Sequence, residues 1–178
     1  MEMPKNLLTD FIEKKLARPA EAQTHEHLGD KNLAKGLLAG LVAGLIATAA
    51  KTMAEKVYPP RTHGEPEPPD VLAEKIGGHA MKATSKSIAS ETIHWGFGAA
   101  VGAAYGGLAE FYPAATARDG AQFGMTLMAI THEGVLPAMG LSADPADQTT
   151  REKSSEVATH LVFGFVTETV RRAVRKML

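Results

Sequence analysis

His94, His132 and His160 stand in apolar surroundings with glutamates at helical spacing, and these are the residues whose types and positions could do chemistry. Glu91 and His94 are three residues apart, Glu156 and His160 four apart, and Lys51 and Glu55 four apart, so each pair shares one face of a helix. Imidazole and carboxylate together suit Zn, Fe, Ni or Mn. Glu91-x-x-His94 also has the local spacing of di-iron four-helix bundles, although such a site wants two pairs of that kind and two further glutamates. His94, His132 and His160 with Glu91, Glu133 or Glu156 are therefore a candidate divalent-metal set, and two of the histidines are candidate axial haem ligands. The same groups support a second chemistry. Histidine titrates near neutral pH, and Lys51, Glu55, His94, His132, His160, Glu110 and Glu168 form a candidate proton or ion pathway, or a pH-responsive layer. The plain alternative is a structural scaffold, with Lys51 paired to a glutamate and the histidines hydrogen-bonded between helices.

Several chemistries are excluded at once. The chain has no cysteine, so thiolate metal sites, disulfides and cysteine nucleophiles are absent. No Gly-x-Ser-x-Gly, His-Glu-x-x-His or phosphate-loop motif occurs, and nothing points to a catalytic residue. Lys and Arg number 19 against 20 Asp and Glu in 178 residues, which provides no basic field for nucleic acid.

These residues have to be positioned by helices. Four apolar, Gly/Ala-rich segments are visible: Leu33 to Tyr58, ended by Pro59-Pro60; about Ser90 to Tyr112, ended by Pro113; about Arg118 to Leu141; and about Ser155 to Leu178. Each is long enough to cross a hydrocarbon core of about 30 Å. The expectation is an all-α, integral membrane four-helix bundle, with spans at about 35–57, 91–112, 119–140 and 156–175 in a domain covering 33–178. The uncharged runs inside them (36–50, 92–109, 120–132 and 157–167) all fall short of the about 20 residues of a comfortable span, which is the main objection. Residues 1–32 form a separate segment, where Leu7, Leu8, Phe11, Ile12 and Leu16 predict an amphipathic helix. It lacks the apolar stretch of a signal peptide and is expected to stay in the mature protein.

Gly36, Gly40 and Gly44 recur every four residues, as do Gly98, Gly102 and Gly106. Such stripes allow close helix approach in lipid, either within the chain or in a homo-oligomer, and both remain open at this stage. Lys and Arg are more frequent before Gly36 and after Glu168 than in the connections on the opposite side, which predicts cytoplasmic termini. The connection 59–89 is Pro-rich, with Val71, Leu72 and Ile76 suggesting a short helix; a rigid surface loop is preferred to a cap over the bundle. Trp95 and Tyr112 fit interfacial anchors, and Met125, Met128 and Met139 fit packing. His25, His27 and His79 are expected in solvent, with His63 the one loop histidine near the site.

The order Ala49-Ala50-Lys51-Thr52 through Glu55-Lys56-Val57-Tyr58-Pro59-Pro60-Arg61-Thr62, Ala109-Glu110-Phe111-Tyr112-Pro113, His132 with Pro137 and Gly140-Leu141, and Ser155-Glu156 with His160-Leu161, Glu168 and Arg171-Arg172 resembles the YagU family of bacterial inner-membrane proteins of unknown function. The resemblance covers roughly 33–175 and implies an inner-membrane, multi-pass location with no known activity. With both termini inside, Lys51, Glu55, His94, His132, Glu133, Glu156 and His160 fall in one layer near the periplasmic side, and Glu110, Glu168 and Arg171 form an inner set.

Overall fold

Asn32 opens the first long helix by accepting a hydrogen bond from Lys35 N–H on its side chain, and this helix, α1, runs Leu33–Val57 before Pro59 and Pro60 stop it. The computed structural model describes residues 31–61, 64–78 and 80–178, and residues 32–178 form one compact unit. The predicted N-terminal amphipathic helix, His25, His27, His63 and His79 lie outside the described residues. After α1 come α2 (Pro68–Gly77), α3 (Ala83–Phe111), a 3-10 connection (Pro113–Gly120), α4 (Ala121–Ile130), a π turn (Thr131–Val135), the short α5 (Leu136–Ala138) and α6 (Thr150–Met177). Thr149 caps α6 by accepting from Glu152 N–H, the Thr-x-x-Glu pattern of a capping box.

Helix α1 packs on both α3 and α6, and α6 packs on α4, while α3 and α4 make almost no direct contact. Small residues set this order. A Cβ on Gly40 would stand 2.8 Å from Gly106 Cα, one on Gly106 would stand 2.6 Å from Gly40 Cα, and one on Gly44 would stand 2.9 Å from Gly102 Cα. The two stripes therefore face each other inside one chain. A second crossing, not anticipated, joins α4 to α6: Cβ atoms on Gly124 and Gly164 would stand 3.2 Å and 3.0 Å from the Cα atoms of Gly164 and Gly124. Gly120, at φ 86°, lets the chain turn into α4 after Arg118 and Asp119, both left-handed at φ 54°.

The interior mixes small apolar residues with large polar ones. The largest fully buried side chains are Arg171, Glu156, Glu168, Thr159, Thr167 and Ser155, and α1 buries only glycine, alanine and Thr48. Leu37, Leu38, Leu41, Ile46, Met53, Phe97, Leu108, Ile130 and Phe165 are exposed. Among the described residues one helix, α1, is long and apolar enough by length and composition to cross a membrane. The other three expected spans do not reach that standard, because α3 and α6 carry Glu91, His94, Glu110, Glu156, His160 and Glu168, and α4 has only ten residues before the π turn.

At the end of the bundle near Glu168, Arg171 donates to both Glu168 carboxylate oxygens at 2.7 and 2.8 Å, Arg172 Nε donates at 2.5 Å, and Tyr105 O–H donates at 2.7 Å. Glu110 accepts from Arg175 and from Asn32 N–H. Tyr105→Phe removes one neutral donor from a carboxylate that keeps its arginines, so the expected loss is about 1.5 kcal/mol. Thermal unfolding in detergent reads it; an unchanged midpoint would show that the Tyr105 hydroxyl is idle.

Candidate functional site

Glu156 and His160 share the inward face of α6, as their four-residue spacing requires. His132 joins them through the π turn. Pro137 lacks an N–H and its ring crowds the carbonyl four residues back, and the ladder upstream widens so that Leu136 N–H bonds Thr131 C=O, five residues back. The extra residue in this turn buries Thr131, leaves the His132 side chain 12 % exposed, and turns Glu133 to the outside.

The result is a tight cluster. His132 Nε2 stands 3.4 Å from Glu156 Oε2, His160 Nδ1 stands 3.5 Å from the same oxygen, and the two imidazoles meet edge to face at 5.0 Å. One ligand atom from each residue lies within 4.8 Å of the others. Ligands each about 2.1 Å from one ion at a tetrahedral angle are about 3.4 Å apart, so the His132 to Glu156 separation already matches a shared ion. His160 Nδ1 is 2.8 Å from the Glu156 backbone carbonyl, which can only accept, so the proton sits on Nδ1 and the Nε2 lone pair is free to bind a metal. This is the outer hydrogen bond that fixes the tautomer of metal-ligating histidines.

Glu156 is the group that needs a partner. Its side chain is 2 % exposed, and both carboxylate oxygens are buried without a hydrogen bond. Lys51 Nζ and Arg61 Nη1 each approach to 3.8 Å, beyond hydrogen-bond reach, and each already pairs with another acid: Lys51 with Glu55, and Arg61 with Glu67 at 2.6 Å and, more distantly, Glu152 at 4.0 Å. A buried carboxylate with no hydrogen bond and only two long ion pairs, each at 3.8 Å, is costly, and an ion held jointly with the two imidazoles would relieve it.

The cluster forms part of the wall of a cavity of about 720 Å³, which Lys51, Glu55, Arg61, Glu67 and His94 also line. Pro68, Pro69, Asp70 and Leu72 of α2 line it too, so the short helix suggested within the 59–89 connection forms and borders the site. Ser155 Oγ donates to the Tyr58 carbonyl and Tyr58 O–H bonds Ser154 Oγ at 2.6 Å, tying the end of α1 to the start of α6.

Not every candidate residue arrives. His94 lines the cavity with Nε2 3.1 Å from Thr52 Oγ1, but it stands outside the three-residue cluster. Glu91 is exposed and accepts from Trp95 Nε1, and Glu133 is exposed, so neither joins the candidate metal set, and the Glu91-x-x-His94 pair does not build a di-iron site. Haem with His132 and His160 as its two axial ligands does not fit, because their rings stand edge to face and both border the same Glu156 oxygen, leaving no plane for a macrocycle between them. Glu110 and Glu168 are held by arginines at the other end of the bundle, and between that end and the cluster Tyr105 stacks on Phe123 with centroids 4.1 Å apart while Phe163 lies tilted to Phe123 at 6.1 Å. Arg61 was missed as a site residue; its signals were its place right after Pro59-Pro60, at the end of α1, and its part in the run shared with the resembled family.

A family described as Protein of unknown function (DUF1440) matches residues 45–169, most of the chain. The chain belongs to the DUF1440 family. Lys51, Arg61, His132, Glu156 and His160 all fall within the part shared with DUF1440, whereas the start of α1, including Gly36, Gly40 and Gly44, precedes it. No curated protein and no solved structure matches the chain.

Proposed function

We propose that this DUF1440 protein is a multi-pass membrane protein whose bundle binds one divalent transition-metal ion through His132, Glu156 and His160. The observation that carries the reading is Glu156, a buried carboxylate without a hydrogen bond between two imidazoles. The donor set is two nitrogens and one oxygen, which suits Zn, Fe, Ni or Mn, with coordination positions left open toward the cavity. The ion is held rather than conducted: beyond the cluster the stacked aromatics and the arginine-saturated Glu168 offer no free carboxylate to pass it on.

The bilayer setting is supported by the buried Arg171, Glu156, Glu168, Thr159 and Thr167, by the exposed Leu37, Leu38, Leu41, Ile46, Leu108 and Phe165, and by the glycine-to-glycine crossings. Together with the resemblance to the YagU family and the Lys/Arg distribution, this favours the bacterial inner membrane with both termini cytoplasmic and the metal layer on the periplasmic side. The four expected spans are part of this proposal, the ionisable groups of α3 and α6 facing inward. Two experiments test it separately. The protein should stay in the membrane fraction after an alkaline carbonate wash, and its release would refute the bilayer setting. Zn²⁺ or Mn²⁺ added to chelator-treated protein should raise the unfolding midpoint, and acidification should reverse this, because the imidazoles must be unprotonated to bind. No stabilisation by either ion would leave the structural scaffold as the surviving account.

A further inference from the structure

The cavity is much larger than an ion requires. Its about 720 Å³ lies in the range of roughly 300–1,000 Å³ typical of small-molecule sites. One side of it is apolar, formed by Trp95 and Phe97 of α3, Leu127 of α4, and Leu136 and Met139 beyond the π turn. That side is where the bundle is open: α3 and α4 scarcely touch, their link being the Tyr105 to Phe123 stack. At the edge of the gap Trp95, Phe97, Val135 and Met139 are between 37 and 49 % exposed. In the bilayer setting proposed above, this gap faces acyl chains.

The polar side holds an unused donor. Arg61 is 9 % exposed at its side chain, yet its Nη2 is buried without a hydrogen bond, with Glu152 Oε1 4.0 Å away. A buried guanidinium N–H left open is uncommon and wants an anionic oxygen, to which arginine binds strongly.

We infer that the cavity takes a single-chain amphiphile with a small anionic head, a carboxylate or a phosphate monoester, which enters between α3 and α4, lays its chain along Phe97, Leu127 and Leu136, and sets its head on Arg61. The inference rests on the bilayer setting and not on metal occupancy. The head meets the open Nη2 of Arg61 alone, and a divalent ion held by His132, Glu156 and His160 would add a second positive charge beside it without being required.

The test uses the full chain in a neutral detergent and measures displacement of a fluorescent fatty acid by palmitate, palmitoyl lysophosphatidate and hexadecanol, each with EDTA and again with Zn²⁺. At least one of the two anionic chains should bind about tenfold or more tighter than hexadecanol, and which of them does so identifies the head. Arg61→Lys keeps the charge and its pairing with Glu67 but removes Nη2, and should cut that preference to below about threefold while hexadecanol binding is unchanged. Leu127→Trp, which fills the apolar side, should weaken all three chains. Equal binding of neutral and anionic chains, or a preference unaltered in R61K, overturns the inference. Preference for the anion in EDTA without any effect of Zn²⁺ upholds the amphiphile site and counts against the metal, so the two proposals fail separately.

Discussion

Glu156→Gln is expected to reduce metal affinity by at least about a hundredfold while the metal-free bundle stays folded. Loss of an outer-shell partner alone typically costs 10–100-fold, roughly, and Glu156 is the one anionic ligand of the set, so its neutralisation should exceed that range. The fold should survive for a reason that can be read directly: neither Glu156 oxygen holds a hydrogen bond that glutamine would break, and the neighbouring cations keep Glu55 and Glu67. At a metal concentration of a hundred times the parent's Kd the parent should gain about 2.7 kcal/mol of stability, and the variant at most about 0.4 kcal/mol. His132→Ala and His160→Ala should behave alike in affinity, whereas Glu91→Gln and Glu133→Gln, both on exposed residues, should titrate as the parent does. Calorimetric titration of chelator-treated protein with Zn²⁺ checks all five. Equal losses at Glu133 and Glu156 would mean that the π turn does not orient the site as described.

Gly102→Val is expected to destroy the α1–α3 crossing. A Cβ at Gly102 would stand 2.5 Å from Gly44 Cα and 2.7 Å from Gly44 N, and this is backbone that cannot swing aside as a side chain could. Separating the two helices would open the alanine and glycine seam along the whole of α1, so the loss should exceed about 4 kcal/mol, beyond the usual range for a point substitution. Gly96→Ala is the matched control, because nothing lies within 4 Å of a Cβ there, and alanine should be neutral or improve stability by up to about 1 kcal/mol. Folded yield and unfolding midpoint in detergent distinguish them. If G102V instead leaves the chain folded and only dissociates an oligomer, the stripes face between copies, and the intramolecular crossing is wrong.

The helices could be read in the sequence because prolines end them and because Gly36, Gly40 and Gly44 repeat in register with one face. What the stripes touch could not be read, since close approach looks the same within a chain and between chains. Glu156 and His160 were legible as a pair because four residues in a helix always share a face. His132 was not separable from Glu133, for the choice between them depends on the π turn, a local widening that periodicity at 3.6 residues does not encode. The second glycine crossing escaped notice for a similar reason: Gly120 and Gly124 lie beside a break in the helix, and Gly164 stands alone in α6, so no stripe marks their meeting. The mean hydropathy near zero says little about the fold, since it averages a polar first third with four apolar, Gly/Ala-rich segments.

The central claim is tested most directly by the metal content of the full chain purified from membranes without added metal or chelator. Elemental analysis should return close to one transition-metal ion per chain, and X-ray absorption at that metal's edge should show two imidazole nitrogens at about 2.0–2.1 Å with oxygen in the remaining positions. Absence of stoichiometric metal, or a metal whose neighbours are unchanged in a His132→Ala, His160→Ala double variant, would contradict it.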